Sequence, residues 1–441
     1  MEYPFLEVPL LGGGLLIGVI AIVHVFVSHF AVGGGLYLVL TELKGYREKN
    51  EAIINYVKKH SIFFILLTLV FGAVTGVGIW FSIGLVHPMG TSALIHAFVW
   101  AWAIEWVFFF IEIAAAFIYY YSWDRVNRKT HLAIGWIYFG SAWMSLVIIN
   151  GILTFMLTPG AWLQTHAFWD GIFNPTFFVS VLIRTAVAVI LAGLYGLLTA
   201  AWIKGDDDNR ALMIRYNSKW LLFGFLFLAI VGPFFVTSIP PLARHISMGG
   251  AAAVTLFAAA SVAFSALIAI FTYFGPYRQP RQFSVSFALL FMILGLMVTG
   301  VTEWTREAVR KPFIIYDYMY SNGLPGEFYP DSEAILAKYQ AEGLLPNYKW
   351  STVGEVREDN IMEAGRELFR IQCEQCHTVG GYNGIKPLVF GWSPVRLFRE
   401  VPDIHNLKPY MPPSYGREEE HRALALWLKS LNEEPEVEVK Q

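Results

Sequence analysis

The chain has 441 residues, of which 56% are hydrophobic and only 15% are charged, and its formal net charge at pH 7 is −2. Soluble domains carry about 25% charged residues, so the composition excludes an ordinary soluble protein and indicates a membrane environment. The near-zero charge gives no basis for nucleic-acid binding. The two cysteines, Cys373 and Cys376, lie in one five-residue motif and leave no other pair for a disulfide framework.

The first ten residues lack the basic start and the small-residue cleavage site of a signal peptide, so the first apolar segment is expected to remain as a helix. A bilayer core of ~30 Å needs about 20 apolar residues per helix. Eight stretches satisfy this length and are predicted to cross the membrane: about 11–41, 61–85, 95–121, 132–157, 176–203, 220–238, 250–274 and 284–303. This number argues against a buried soluble core, and no internal repeat supports a duplicated transporter.

Basic residues are distributed unequally between the loops. Fourteen Lys and Arg lie in the loops after the first, third, fifth and seventh predicted helices, whereas the other loops hold Arg244. Cytoplasmic loops are the ones enriched in Lys and Arg. The pattern predicts a multi-pass protein of the bacterial inner membrane, surrounded by lipid, with its N-terminus and C-terminal region on the periplasmic side.

Titratable groups inside a membrane helix are costly and point to function. The first helix carries His24 and His29, which point about 140° apart around the axis, so one of them could ligate an iron. Glu105 and Glu112 are seven residues apart and share a helix face, which suits a proton path or heme ligation. The alternative is a pair of neutral acids bonded to neighbouring helices. Arg184 needs an anionic partner, for which a heme propionate is expected.

Beyond residue 304 the sequence becomes polar, which predicts a domain boundary near 310–360. Cys373-Glu374-Gln375-Cys376-His377 follows a predicted helix over 361–371. The CXXCH pattern attaches heme through two thioethers, and its histidine ligates the iron. A redox-active dithiol and half of a zinc site are the alternatives, and the lack of a second cysteine pair disfavours the zinc site.

A sixth ligand is predicted at Met411, which lies in a Tyr-Met-Pro-Pro sequence 34 residues after His377. Its thioether is a soft ligand that raises the reduction potential of a heme. The segment 418–431 is predicted to form a closing amphipathic helix. Residues 361–433 as a whole resemble a class I cytochrome c.

Several segments in order resemble subunit I of the cytochrome bd oxidases, across about residues 10–320. These segments are Ile22-Val23-His24-Val25-Phe26, Ala103-Ile104-Glu105 followed by Glu112, the stretch from His131-Leu132 through Asn150-Gly151 to Pro159-Gly160, and Glu307-Ala308-Val309-Arg310-Lys311-Pro312-Phe313. The resemblance implies that His24 and Glu307 ligate membrane hemes. It also implies that Glu105 and Glu112 serve a proton path, although the spacing between them differs from that of the family by about one residue. Arg310 is implied to belong to the active site.

The chain also departs from that family. Arg184-Thr185 stands where the family has the histidine of its low-spin heme, and Met248 is a weak counterpart of the partner methionine. The long quinol-binding loop is reduced to residues 239–249, and the cytochrome c segment replaces a ninth helix. The low-spin heme is therefore expected to be lost, or to be held by another ligand such as His245 or His166.

These features predict an all-α protein: a polytopic bundle of about eight transmembrane helices over 1–310, a linker over 311–360 and a small α-helical cytochrome c domain over 361–441. The expected cofactors are one covalent heme c and one to three non-covalent hemes, of type b with heme d as an option. The expected partners are a second membrane subunit and a periplasmic electron donor such as a soluble cytochrome c.

The favoured function is an oxidoreductase that moves electrons between the c-heme and the membrane hemes and reduces oxygen, with Glu105, Glu112 and Arg310 at its catalytic site. The alternative is an electron-relay subunit of a larger respiratory complex that exchanges electrons with a partner dehydrogenase or quinone. A transporter with a cytochrome sensor is a third possibility. The sequence leaves open the direction of electron flow, the donor and acceptor, the number and type of membrane hemes, and energy conservation.

Overall fold

The computed structural model describes residues 3–433, so residues 434–441 of the predicted C-terminal domain and residues 1–2 of the predicted membrane domain lie outside it. Among the described residues, eight helices are long and apolar enough to cross a membrane. We number them α1 to α8: Gly13–Glu48, Glu51–Val86, Val99–Tyr121, Arg128–Phe155, Phe177–Ala201, Asp207–Ser238, Ala252–Tyr277 and Val285–Ala308. The predicted all-α fold with eight membrane spans is confirmed.

The four helices that the charge pattern predicts to begin on the cytoplasmic side each start at a side-chain cap. Asn50 accepts a hydrogen bond from the first turn of α2, Asn127 from α4, Asp206 from α6 and Ser284 from α8. Such caps satisfy backbone amides that have no partner within the helix. Helices α2 and α6 therefore begin well before the predicted apolar segments, because the cap and not the lipid boundary sets the first residue.

Shorter helical segments connect the spans and complete the C-terminal region. The α-helical ones are Pro88–Ala97, Trp162–Thr165, Phe168–Ile172, Pro241–His245, Ile385–Leu388, Pro394–Glu400 and Ile404–Leu407. Pro280–Gln282 and Leu345–Asn347 are 3₁₀ turns. Leu66–Gly72, Ile246–Gly250 and Tyr273–Tyr277 have π-helical hydrogen bonding.

The described chain divides into two compact units, and the first contains residues 19–79 and 95–309. Within this unit α5 is the most buried of the eight spans. Gly33 of α1 lies so close to the carbonyl group of Ala188 on α5 that a side chain would not fit, and Gly193 of α5 approaches Trp220 of α6. Small residues at these crossings let membrane helices pack closely, since no hydrophobic effect drives them together in lipid.

The second unit contains the N-terminal residues up to 18, residues 80–94 and the chain from 310 onward. Strands β1 (Phe313–Ile315) and β2 (Met319–Tyr320) form an antiparallel pair, and helix α9 (Ser332–Glu342) follows within the segment predicted as a linker. Helices α10 (Ile361–Gln372) and α11 (Glu418–Ser430) confirm the two helices predicted there. Their buried faces meet through the rings of Phe369 and Trp427, whose centroids are 4.9 Å apart.

Residues near the N-terminus take part in this second unit. The Glu7 carboxylate forms an ion pair with Arg366 at 3.3 Å and approaches Arg370 at 3.9 Å. The backbone amide of Tyr382 donates to the carbonyl oxygen of Leu10 at 2.8 Å. Segments separated by the whole membrane region of the sequence therefore complete one folded unit.

Candidate functional site

The CXXCH loop follows directly on the C-terminal end of α10. The amide of Cys373 donates to the carbonyl oxygen of Phe369 at 2.8 Å, and the amides of Cys376 and His377 donate to that of Cys373 at 3.0 and 2.9 Å. This turn holds both cysteines and the histidine in one short loop. Burial raises the pKa of the Cys373 thiol to about 12. That thiol therefore lacks the thiolate character that a redox-active dithiol requires.

The imidazole of His377 has a defined orientation. Its Nδ1 donates to the carbonyl oxygen of Asn383 at 3.0 Å, and the Asn383 side chain donates to the carbonyl oxygen of Cys376 at 2.8 Å. A histidine that donates from Nδ1 presents the lone pair of Nε2, which is the common arrangement of a metal ligand. Burial lowers the pKa of His377, which favours the neutral ring that a ligand needs. These residues fit a covalently attached heme.

Met411 lies in a loop whose backbone is fixed by hydrogen bonds. Its amide donates to the carbonyl oxygen of Lys408 at 2.8 Å, and its own carbonyl oxygen accepts from Nδ1 of His405 at 2.6 Å. In the described sequence between His377 and Met411, several large apolar side chains are 40–76% exposed, among them Leu388, Phe390, Val395 and Phe398. Apolar surface of this extent suits contact with a flat macrocycle, although on a water-facing domain it would otherwise be costly.

His24, on α1, is held in the same way as His377. Its Nδ1 lies 3.1 Å from the hydroxyl oxygen of Thr75 on α2, and that hydroxyl donates to the carbonyl oxygen of Phe71 at 2.9 Å. With its proton on that carbonyl oxygen, the hydroxyl accepts from Nδ1 of His24, and the lone pair of the ring then lies on Nε2. His29 is buried, and its Nδ1 donates to the carbonyl oxygen of Val25 at 3.0 Å.

The two glutamates of α3 both form hydrogen bonds with α4. The hydroxyl of Ser145 donates to Glu105 at 2.8 Å, and the hydroxyl of Tyr138 donates to Glu112 at 3.1 Å. Both carboxyl groups therefore face the same neighbouring helix, as their spacing predicts. A row of carboxyl and hydroxyl groups between two membrane helices can accept and pass protons.

The side chain of Arg184 is hydrogen-bonded to the side-chain amide of Asn150 on α4. Its Nε donates to Oδ1 of Asn150 at 3.0 Å, and the hydroxyl of Ser180 donates to the same oxygen at 2.6 Å. Asn150 in turn donates from Nδ2 to the carbonyl oxygen of Phe177 at 3.1 Å. Arg184 also interacts electrostatically with Glu303 of α8. The heme propionate predicted as the partner of Arg184 stays a prediction.

Glu303 lies at the centre of a charged group near the end of α8. Arg306 donates to its carboxylate from Nε at 2.9 Å, and Glu307, one residue further on, interacts electrostatically with Arg306. Both glutamates are partly buried. Arg310 follows the helix end and is 3% exposed.

The alternative ligands considered for a low-spin heme lie on the surface of the described chain. His245 and His166 are exposed, and Met248 is 67% exposed. The ring of His166 packs against Trp162 at a centroid distance of 4.8 Å.

The structure adds polar contacts that no sequence pattern indicates. His87 donates from Nε2 to the carbonyl oxygen of Ser321 at 2.9 Å, while its Nδ1 accepts from the amide of Gly90 at 3.1 Å. Glu42 of α1 is fully buried and bonded to His131 of α4. Neither pairing has a sequence signal, because each joins residues that are 89 or more positions apart.

Known proteins share this arrangement of membrane helices. Residues 15–239 match the family model described as cytochrome bd terminal oxidase subunit I. The chain belongs to the cytochrome bd terminal oxidase subunit I family. A solved structure entitled "The structure of bd oxidase from Geobacillus thermodenitrificans" is 18% identical to it and superposes with a TM-score of 0.60, covering 68% of this chain and 87% of that chain. A comparison with the curated proteins gives no match.

Membership of the bd subunit I family makes this chain a membrane heme oxidoreductase of the electron-transport type. The family binds hemes of types b and d. The family match ends before α7, so residues 361–433 lie outside it.

Proposed function

We propose that the chain is the oxygen-reducing subunit of a bd-type terminal oxidase that receives electrons through a cytochrome c domain of its own. The proposed domains are a membrane domain over 1–310, a connecting segment over 311–360 and the cytochrome c domain over 361–441. When bound, the hemes supply one-electron transfer and an iron that binds oxygen. Oxygen is the proposed acceptor, and the electrons enter from the c domain.

The proposed ligands follow from the donor set. Cys373 and Cys376 would carry the thioether bonds of heme c, and His377 and Met411 would ligate its iron. His24 and Glu307 would ligate membrane hemes. One observation carries the proposal: in a chain of this family, both His24 and His377 are held at Nδ1 so that Nε2 remains for iron.

The proposed work of the polar membrane residues is to carry protons and balance charge. Glu105 and Glu112 would pass protons between the hydroxyl groups of Ser145 and Tyr138, to which they are bonded. Arg310 and Arg184 would stabilise negative charge near the membrane hemes. Arg184 occupies the position of a family ligand, which supports a membrane site with altered or missing low-spin ligation.

The proposed location of the c domain is the periplasmic side of the bacterial inner membrane. The fourteen basic residues of the alternate loops support this orientation. A soluble periplasmic cytochrome c is the proposed donor, because the reduced segment between α6 and α7 leaves little chain for a quinol site. A second membrane subunit, typical of bd oxidases, is the proposed structural partner.

Oxygen consumption with a reduced soluble cytochrome c as the donor tests this function. The purified wild-type complex is expected to consume oxygen in a cyanide-sensitive way. A Cys373→Ala/Cys376→Ala variant is expected to lose this activity while its membrane hemes remain reducible by a small artificial donor. A pyridine hemochrome spectrum with heme extraction gives the numbers of hemes c, b and d in the wild type and in the variant. A wild-type protein without a CO- or cyanide-sensitive heme contradicts the oxidase function.

The exposed positions of His245, His166 and Met248 favour a second candidate. If none of them ligates a heme, the chain could act as an electron-relay subunit that exchanges electrons with a partner dehydrogenase or quinone. The same preparation separates the two functions. A relay would be reduced and reoxidised by its partners with no oxygen consumption of its own.

A further inference from the structure

A buried cluster of polar side chains joins α1, α3 and α4 at one end of the bundle. Glu42, Tyr119 and His131 are at most 3% exposed. The Glu42 carboxylate accepts from the hydroxyl of Tyr119 at 2.7 Å and from Nδ1 of His131 at 2.9 Å. These residues lie near the end of α1, the end of α3 and the start of α4. All three therefore occupy the side that the charge pattern predicts to be cytoplasmic.

His131 faces a hydrogen-bond acceptor at each ring nitrogen. Nδ1 faces Glu42, and Nε2 lies 3.0 Å from the carbonyl oxygen of Tyr119. The Glu42 carboxyl group and the His131 ring can therefore share an exchangeable proton across this hydrogen bond. A pair that is neutral overall is what burial in a membrane helix bundle favours.

The pair has neighbours toward the surface and toward the interior. Tyr46, a partly exposed residue one turn further along α1, interacts electrostatically with Glu42. In the other direction, Glu112 is seven residues before Tyr119 on α3, and Tyr138 is seven residues after His131 on α4. Seven residues correspond to about 10 Å along each helix axis, which is too far for a direct proton transfer.

A small cavity lies between the cluster around Glu42 and the hydrogen-bonded pair of Glu112 and Tyr138. It offers about 10 Å³ to the centre of a water molecule, and its lining residues include Tyr119, Tyr138, Ser61 and Ala116. This is about the smallest space that admits one water. The wall is mostly apolar, so a water molecule would cross this cavity rather than reside in it.

We propose that Glu42 and His131 form a proton-loading site that supplies Glu112 from the cytoplasmic side, by way of water crossing the cavity between Tyr119 and Tyr138. One proton passes from cytoplasmic water to Glu42, while one proton leaves the pair toward Glu112. The net charge of the buried pair is the same before and after each transfer. The inference rests on the proposed proton-transfer role of Glu112.

A purely structural clamp of three helix ends is the competing explanation. Glu42→Gln distinguishes the two, because glutamine keeps an acceptor for the hydroxyl of Tyr119 but cannot exchange a proton. A clamp predicts a lower unfolding temperature with unchanged proton kinetics. A loading site predicts slower proton uptake, and Glu42→Asp is expected to restore part of the rate.

The cavity is tested by a pair of adjacent substitutions on α3. Ala116→Val places two methyl groups in the cavity without altering a polar group. Ala115→Val is the matched control, because Ala115 is also buried but does not line the cavity.

The purified complex in liposomes is reduced chemically without oxygen, and proton uptake from the medium is followed with a pH-sensitive dye. Glu42→Gln and Ala116→Val are expected to slow uptake by roughly tenfold or more, and Ala115→Val to proceed at the wild-type rate.

Uptake at the wild-type rate in Ala116→Val overturns the inference, and so does a wild-type protein that takes up no protons on heme reduction. If Glu42→Gln does not assemble with its hemes, the Ala116→Val and Ala115→Val pair decides. The measurement needs no oxygen. A wild-type protein that takes up protons in this assay but consumes no oxygen contradicts the proposed oxidase function and leaves the loading site standing.

Discussion

The buried carboxylate of Glu420 accepts a hydrogen bond from the backbone amide of Leu344 at 2.8 Å. It accepts two more from the amides of Leu345 at 2.8 Å and Arg417 at 2.9 Å. The Glu420 side chain thus binds the backbone of the segment that follows α9 and also caps the N-terminal end of α11. The connecting segment predicted over 311–360 is fastened to the C-terminal helix by this carboxylate.

Removal of this carboxylate is expected to destabilise the C-terminal unit strongly. Glu420→Ala leaves the buried amides of Leu344 and Leu345 without their acceptor, and each unsatisfied buried donor costs about 1–3 kcal/mol. A loss of about 2 kcal/mol or more in the free energy of unfolding is expected, measured by thermal unfolding of the purified protein. Glu419→Ala is the control, because Glu419 lies on the same helix with a side chain that is 47% exposed. Equal stabilities of the two variants would contradict this role.

Covalent heme attachment is expected to depend on both cysteines of the loop. Cys376→Ser removes one thioether, and Cys373→Ser/Cys376→Ser removes both. Heme staining after denaturing electrophoresis is expected to be lost in the double variant, while the non-covalent hemes stay in the native protein. A stained band in the double variant would show that the loop is not the attachment site.

The hydroxyl of Thr75 is expected to tune heme binding through His24. Thr75→Val removes the acceptor of Nδ1, and loss of such an orienting partner typically lowers affinity by about 10–100-fold. His24→Ala is expected to abolish binding at that site. Heme content per chain and the optical spectrum check both variants. A full heme complement in His24→Ala would exclude His24 as a ligand.

Proton transfer through α3 is expected to depend on the carboxyl group of Glu112. Glu112→Gln is expected to lower the rate of oxygen reduction by about 100-fold, which is the lower range for a lost acid–base group. Tyr138→Phe, which removes the bonded hydroxyl and keeps the ring, is expected to have a smaller effect. Turnover is measured with an oxygen electrode at equal heme content. A rate for Glu112→Gln equal to that of the wild type would remove Glu112 from the path.

Acid is expected to destabilise the unit that contains His87. Burial, aided by the nearby charges of Lys311 and Arg310, lowers the pKa of His87 to about 4. The unfolded chain therefore binds a proton below about pH 6.5 that the folded chain rejects. The stabilising effect of the neutral ring is complete above pH 6.5 and is lost as the pH falls toward 4.

His87→Gln tests this dependence, because glutamine can donate to the carbonyl oxygen of Ser321 without titrating. On lowering the pH from 7.5 to 5, the unfolding temperature of the wild type is expected to fall by about 3 °C more than that of the variant. Parallel pH profiles would show that another group causes the acid sensitivity.

The membrane spans follow from hydropathy because lipid imposes a minimum length of apolar sequence. Their ends do not, as α2 shows: the predicted segment starts near residue 61, whereas the helix starts at Glu51 after the cap Asn50. The CXXCH motif is visible because its chemistry requires fixed spacing. The pairing of Glu42 with His131 is invisible, because it depends on how α1 and α4 pack.

The pairing of Leu10 with Tyr382, and of Glu7 with Arg366, has a consequence for biogenesis. Residues 7–10 are synthesised before these eight spans, and their partners are synthesised after them. The second unit can therefore be completed only when all eight spans have been made. We expect any heme attached to Cys373 and Cys376 to be loaded before the N-terminal segment completes this unit.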